Sequence, residues 1–344
     1  MDRFAWLGAR TVSEAAVAAS TTVADAMAGT AAAAGGAAIS VVKAGGVDVL
    51  DLLKDQLLAP ATLVSLTGIG ALTAIAADVA GGLRIGSMAT LATLAGHPEV
   101  QRRYPALAEA VNGSASPQIR HVATLGGNLL QRPRCWYFRS PQFVCLRKGG
   151  GHCFAIPGEN RYHAVFDNAE CAIVHPSTAA SVLVALGASV ELVNAAGAVR
   201  RVRLEDFFLL PDTDVQREND LRPHEILTAI VLPPLPATVR MVHLKQGEKE
   251  SFDWPLADVA VLLDLGPEGV CRRAAIVLGA AAPAPHRARA AEAALAGRRI
   301  VDEVARQSAR AALEGATPLA QNGYKLPLFE TLVRRAILQA AAAP

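Results

Sequence analysis

Ala37-Ala38-Ile39-Ser40-Val41-Val42-Lys43-Ala44-Gly45-Gly46 is the stretch on which the fold class turns. Its branched residues Ile39, Val41 and Val42 predict a short strand, which stops abruptly at the double glycine. The same transition recurs at Leu83-Arg84-Ile85-Gly86, where Ser87 and Thr90 can cap a helix running to Leu94. It recurs again where Ser116-Pro117-Gln118-Ile119-Arg120 leads through Val122-Ala123-Thr124 into Gly126-Gly127-Asn128. Repeated passage from strand to glycine favours an α+β domain over a helical bundle. Glycine also lets consecutive backbone N–H groups close a concave turn with no Cβ in the way, and such a nest suits a diphosphate. Taken alone, Gly45-Gly46-Val47-Asp48 is also what an ordinary turn looks like. Thr124-Leu125-Gly126-Gly127-Asn128 adds two side-chain donors for phosphate or ribityl oxygens. Neither motif is a G-x-G-x-x-G opening a helix, which disfavours a doubly wound fold.

Outward from these turns, residues 11–34 read as a helical region opened by the capping box Thr11-Val12-Ser13-Glu14. A helical pattern covers Asp51 to Leu58 and a strand pattern Leu63 to Leu66. Helices follow Pro98 and Pro105 and end near Asn112-Gly113. Ser177 to Leu186 predicts a helix and Ser189 to Val193 a strand, turned at Asn194-Ala195-Ala196-Gly197 into Val199 to Leu204. Leu232-Pro233-Pro234-Leu235-Pro236 marks a domain joint. Beyond it, Ala257 to Leu265 and Cys271 to Leu278 form paired strands, and helices start after Pro285, near Val301 and near Pro327, so the C-terminal unit is a small sheet covered by helices.

A chain of 344 residues with 52% hydrophobic and 19% charged content predicts an ordered protein of two or three domains. A formal net charge of +2 is too small to imply a nucleic-acid partner. The low charge and a mean hydropathy of +0.29 point to a partner subunit covering part of the exterior. No membrane span is expected, since the alanine-rich segment Ala15 to Ala38 is interrupted by Asp25, and Met1-Asp2-Arg3 carries no evident secretory signal.

Residues 131–171 show neither period and hold Cys135, Cys145, Cys153 and Cys171. An irregular stretch of that length needs another source of order, which a metal centre would supply. The spacing C-x9-C-x7-C-x17-C lacks the short knuckles of zinc ribbons. It suits a loop wrapped around a cubane iron–sulfur cluster, although it matches no ferredoxin pattern; zinc, and disulfides or unrelated thiols, stay open as alternatives. Arg132, Arg134, Arg139, Arg147 and Lys148 would offset the charge of four thiolates, against the plainer reading of a solvated basic loop. His152 suits an exposed polar position, and Cys271 in its strand suits a buried small hydrophobe.

Together these residues resemble the flavin-binding middle subunit of the xanthine dehydrogenase and molybdenum hydroxylase family over nearly the whole chain. The likeness is carried by Ala44-Gly45-Gly46-Val47-Asp48-Val49-Leu50, by Leu83 through Thr90 and by Ser116 through Leu129. The closest branch is the flavin subunit of periplasmic-type aldehyde oxidoreductases, through Asn128-Leu129-Leu130-Gln131-Arg132-Pro133-Arg134-Cys135-Trp136-Tyr137-Phe138-Arg139, Gly158 to Ala164 and Cys171 to Ser177. In that branch the inserted cysteines hold a [4Fe-4S] cluster.

The resemblance implies an FAD-binding domain of the PCMH and vanillyl-alcohol-oxidase-like type at 1–232, with subdomains 1–58 and 59–232 and the iron–sulfur insertion at 131–171. A CO-dehydrogenase-flavoprotein-like sheet-and-helix domain would follow at 237–344. Ala44, Gly45, Gly46, Val47, Asp48 and Val49 would wrap the FAD diphosphate, with Gly86 and Thr90 near the cofactor. His121, Thr124, Gly126, Gly127 and Asn128 would complete the wall, and Lys245 and Asp258 would face the flavin. Val47 stands where threonine is usual, His121 replaces a common asparagine and Thr178 a common aspartate. The implied assembly has three subunits: a large molybdopterin-binding subunit that oxidises substrate, a small one with two [2Fe-2S] clusters, and this chain, passing electrons through FAD to a small-molecule or protein acceptor. No residue here needs to be a proton-abstracting catalyst. An exported, periplasmic complex is implied, with the cytoplasm as alternative. Other functional readings are a noncatalytic assembly subunit, the flavin subunit of a xanthine or heterocycle hydroxylase, and a flavin oxidase with its own substrate.

Overall fold

The computed structural model describes residues 3–29, 39–249 and 251–342. Val41, Leu63 and Val64 are fully buried, and they draw Ser40–Lys43 and Thr62–Ser65 together with Ala5–Gly8 into a three-stranded parallel sheet with Thr62–Ser65 in the centre. This layer therefore extends past residue 58. The helical region expected over 11–34 is two short helices in its described part, Val12–Ala18 and Val23–Met27. Thr11 Oγ1 accepts from the Glu14 amide at 3.1 Å, as the capping box requires, but Thr22 Oγ1 then accepts from the Asp25 amide and starts a second helix. Residues 30–38, including Ala37 and Ala38 of the strand pattern, lie outside the described residues.

A second sheet of five antiparallel strands runs in the order Ile75–Ala77, Leu83–Gly86, Glu225–Leu232, Ser189–Asn194, Val199–Arg203. Its central strand, Glu225–Leu232, is buried at every position. Burial on both faces removes the alternation by which strands are recognised, so this strand escaped sequence reading. Beyond the proline joint a third, antiparallel sheet is ordered His286–Arg287, Cys271–Gly279, Ala257–Leu265, Val239–Gln246. The helices Arg289–Leu295, Asp302–Ala311 and Lys325–Ala342 cover it, and Cys271 is fully buried in it. Thr178–Ala185, a helix buried at every residue, packs against Ala257–Leu265 and Cys271–Gly279, and one continuous core reaches from Leu83 and Ile230 to Ala260 and Val277.

The cysteine segment contains only the helical turn Trp136–Arg139 and a 3₁₀ turn at Leu146–Lys148. Its order has a source beyond any metal, because the C-terminal unit holds its backbone. Val165 N donates to Ala281 O at 2.8 Å, and Asn322 Nδ2 donates to the carbonyls of His163 and Ala164. Asn160 and Gln321 exchange two hydrogen bonds, and buried Lys325 Nζ donates to the carbonyls of Tyr162, His163 and Ala280 at 3.2, 3.1 and 2.8 Å.

Replacing Lys325→Met should remove three hydrogen bonds, leaving the Tyr162 and Ala280 carbonyls without that donor while His163 O keeps Asn322, and cost roughly 3 kcal/mol at about 1 kcal/mol each. Urea unfolding should show a lower midpoint, and limited proteolysis should cut within 155–168. His175 gives a pH dependence. Burial holds it near a pKa of about 4, against 6.5 for a free imidazole, and its Nδ1 accepts from the Ser177 amide. Between these values the unfolded chain binds a proton that the folded chain refuses, so stability is present above about 6.5 and falls as pH drops towards 4, by up to about 3 kcal/mol. Unfolding midpoints measured across that window should flatten in His175→Asn.

Candidate functional site

A cleft of about 490 Å³ lies where the strand Ser40–Lys43 runs into the helix Val47–Lys54. Gly46 caps that helix in the left-handed region at φ +89°, so the helix begins at Val47 rather than at Asp51. The second glycine bend faces it directly: a Cβ on Gly45 would stand 1.9 Å from the Val122 carbonyl oxygen, and one on Gly127 would stand 3.8 Å from Ala44 Cβ. Only glycine at 45 lets these two backbones meet.

Glycine chemistry alone gave both bends the same work, whereas the resemblance implied a diphosphate at the first and a wall at the second; their hydrogen bonds differ. At the second bend the Gly126 amide donates to Ser87 O at 2.8 Å, the Gly127 amide to Thr124 Oγ1 at 3.1 Å and the Asn128 amide to Thr124 O at 2.8 Å. Those amides are committed within the protein. At the first bend Val47, Asp48 and Val49 occupy the opening turn of a helix, whose N–H groups have no intrahelical acceptor, and they border the cleft with Ala44, Gly45 and Gly46. The first bend thus has amides open to an anion, and the second forms a wall beside it. From that wall Thr124 retains a hydroxyl hydrogen, and Asn128 retains its amide nitrogen while Ser177 Oγ donates to its Oδ1 at 2.5 Å.

Of the other expected residues, Lys245 borders the cleft and donates to Gly113 O at 3.0 Å, and burial lowers its pKa. Gly86, Thr90, His121 and Asp258 do not border it. Gly86 is a packing position, since a Cβ there would meet Leu72 O at 2.1 Å. Thr90 caps the helix Leu91–Gly96, and His121 is exposed at the end of Pro117–Arg120. Asp258 is buried beneath Gly279 and accepts from Ser181 Oγ at 2.5 Å. Thr178 does border the cleft, its hydroxyl 2.6 Å from Ser114 Oγ, so a neutral hydroxyl pair stands at the position of the replaced carboxylate. Sequence reading missed Phe252 and Trp254, which line the cleft, Trp254 beneath the Arg134 guanidinium at 4.8 Å. They lie between two strands with no periodic signal of their own.

Asp48 joins the cradle to the cysteine segment. Its carboxylate accepts from the Arg132 amide at 2.8 Å and from Arg139 at 2.6 Å, and it pairs with Arg134 at 2.8 Å. The basic residues of this segment are therefore not a solvated face: Arg132 and Arg147 are fully buried, and Lys148 Nζ donates to Ser140 O. Cys135, Cys145, Cys153 and Cys171 all border a second, small cavity with Phe138, Arg147 and His163. All five cysteines are free of disulfides, and among the described residues no group of three or more His, Cys, Asp or Glu is arranged so as to hold a metal ion. Burial pushes the Cys135 thiol up to about 11. The hydrogen bond between Cys153 and Cys171 lowers Cys153 to about 6 and raises Cys171. Cys135 and Cys171 therefore favour the neutral thiol here, and holding either as a thiolate would take a cationic partner.

Residues 4–235 match the FAD binding domain in molybdopterin dehydrogenase, and residues 242–340 match the CO dehydrogenase flavoprotein C-terminal domain. The aldehyde oxidoreductase FAD-binding subunit PaoB of Escherichia coli (strain K12) is 35% identical over 305 residues, covering 87% of this chain and 91% of that protein. The carbon monoxide dehydrogenase medium chain of Afipia carboxidovorans is 27% identical over 307 residues, covering 87% and 88%. A solved carbon monoxide dehydrogenase from Hydrogenophaga pseudoflava superposes with a TM-score of 0.73 at 25% identity, over 99% of this chain and 97% of that one. The two-domain α+β architecture and the glycine-walled cleft agree with these matches, and the chain belongs to the family of FAD-binding flavoprotein subunits of the molybdenum hydroxylases.

Proposed function

We propose that this chain is the FAD- and [4Fe-4S]-containing electron-transfer subunit of a molybdenum-dependent aldehyde oxidoreductase. The observation that carries the FAD half is the backbone contact of Gly45 with Val122, which sets an open helix N-terminus against a closed wall at the width of one cleft. Support for the aldehyde branch comes from the 35% identical aldehyde oxidoreductase subunit. Support for the cluster comes from four cysteines bordering one buried cavity and from the cations packed around it.

In this reading the Val47–Val49 amides hold the diphosphate, while Thr124 and Asn128 orient the ribityl chain from the wall. Lys245 and Trp254 border the remaining cleft, where they would exclude water from the ring system. Bound FAD supplies a carrier that takes electrons singly and releases one or two. A large molybdopterin-binding partner would oxidise the aldehyde and a small partner with two [2Fe-2S] clusters would relay the electrons. An external small molecule or protein would accept them. An exported complex in the periplasm suits this assembly, with the cytoplasm as the alternative.

The purified chain should release FAD on extraction and contain about four irons with matching sulfide. A colourless protein with one zinc would defeat the reading. Cys171→Ser should lose the iron and keep FAD, and bleaching of the flavin band by aldehyde in the reconstituted complex separates electron transfer from mere assembly. Gly45→Ala should drive the two bends apart and weaken FAD by roughly tenfold or more, about 1.4 kcal/mol, with circular dichroism unchanged. Flavin fluorescence titration reads this directly.

A further inference from the structure

Two arginines share one carboxylate in the wall between the cleft and the cysteine cavity. Arg132 Nη1 donates to Glu218 Oε2 at 2.8 Å and Arg147 Nη1 donates to Glu218 Oε1 at 2.6 Å, and all three side chains are at most 3% exposed. The triad faces both cavities: Arg132 and Glu218 border the cleft, while Arg147 borders the cysteine cavity and points its Nε at Cys171 Sγ, 3.5 Å away. Two cations and one anion leave a surplus positive charge in a buried place. Arg132 Nε and Nη2 and Arg147 Nη2 also have no partner among the described residues. A buried charge left uncompensated is strongly destabilising, so this group calls for a second anion beside Arg147. Among the described residues, the only candidate that borders the same cavity is the set of four cysteines.

We propose that Arg147 is the positioning residue of the cysteine cage, holding Cys171 and balancing the anionic cluster, and that Glu218 and Arg132 transmit the cage's charge to the wall of the flavin cleft. This rests on the cluster reading above. Reducing the cluster adds one electron, drawn from the partner's iron–sulfur clusters or from dithionite, and so one unit of negative charge beside Arg147. A neighbouring cation favours that change, and a neighbouring anion opposes it.

The test is an EPR-monitored redox titration of the holoenzyme, with iron, sulfide and FAD counted in each variant. Arg147→Met should shift the cluster's midpoint potential downward and Glu218→Gln should shift it upward, whereas Arg147→Lys, which keeps the charge, should stay close to the unaltered enzyme. A merely structural triad would move both neutral variants the same way, or only remove iron. Shifts of the same sign, or none, overturn the proposal. Should Arg147→Met retain no iron, Glu218→Gln decides alone: an upward shift supports the charge balance, and an unchanged or lower potential overturns it. An unaltered enzyme without iron would instead defeat the cluster reading itself, so the two failures are distinguishable.

Discussion

The approach of the Gly45 backbone to the Val122 carbonyl is the constraint from which the rest of the molecule takes its shape. A side chain at 45 would collide at 1.9 Å, so the turn after Ser40–Lys43 and the turn between Pro117–Arg120 and Leu125–Leu129 can come together there only through a bare backbone. That meeting creates a cleft with two unlike walls. One presents helix amides with no internal acceptor, and the other has already spent its amides on Ser87 and Thr124. In the proposed reading this asymmetry would give a diphosphate one place to sit and the rest of a dinucleotide a surface to lie along.

Asp48 extends the same logic to the cysteine segment. It stands one residue into the helix that opens the cradle, and its carboxylate holds Arg132, Arg134 and Arg139. Anchoring at this end, and hydrogen bonds from Asn322 and Lys325 at the other, suspend an irregular loop between the cleft and the C-terminal unit. The glycine turn, the cysteine segment and the C-terminal helices are mechanically one object. Burial of Arg132, Arg147 and Glu218 within it makes the electrostatics of the two cavities inseparable, because low-dielectric surroundings leave little solvent to screen one from the other.

Most of the secondary structure was legible in the chain. Leu83–Gly86 and Ala257–Leu265 carry branched residues bounded by glycine, and Pro98 and Pro105 open helices as their fixed φ demands. Glu225–Leu232 and Val239–Gln246 were missed: the first is buried on both faces and the second follows the proline joint, so neither shows clean alternation. In the site, glycine chemistry pointed to Gly45 through Asp48 and Thr124 through Asn128, the resemblance added Ala44 and Val49, and all of these but Leu125 border the cleft. Gly86, Thr90 and Asp258 do not border the cleft: Thr90 caps the helix as its sequence suggests, while the packing of Gly86 and the burial of Asp258 depend on distant chain that spacing does not carry.

The sequence by itself determined the α+β class, the two glycine bends and the four cysteines of one segment, since strand propensity, glycine's freedom and thiol chemistry are properties of residues. Tertiary structure alone decided that the bends touch, that only the first keeps its amides open, and that Glu218 stands between Arg132 and Arg147. These are contacts between residues up to 86 positions apart, and a buried charge acquires its meaning only from the neighbours that folding places around it.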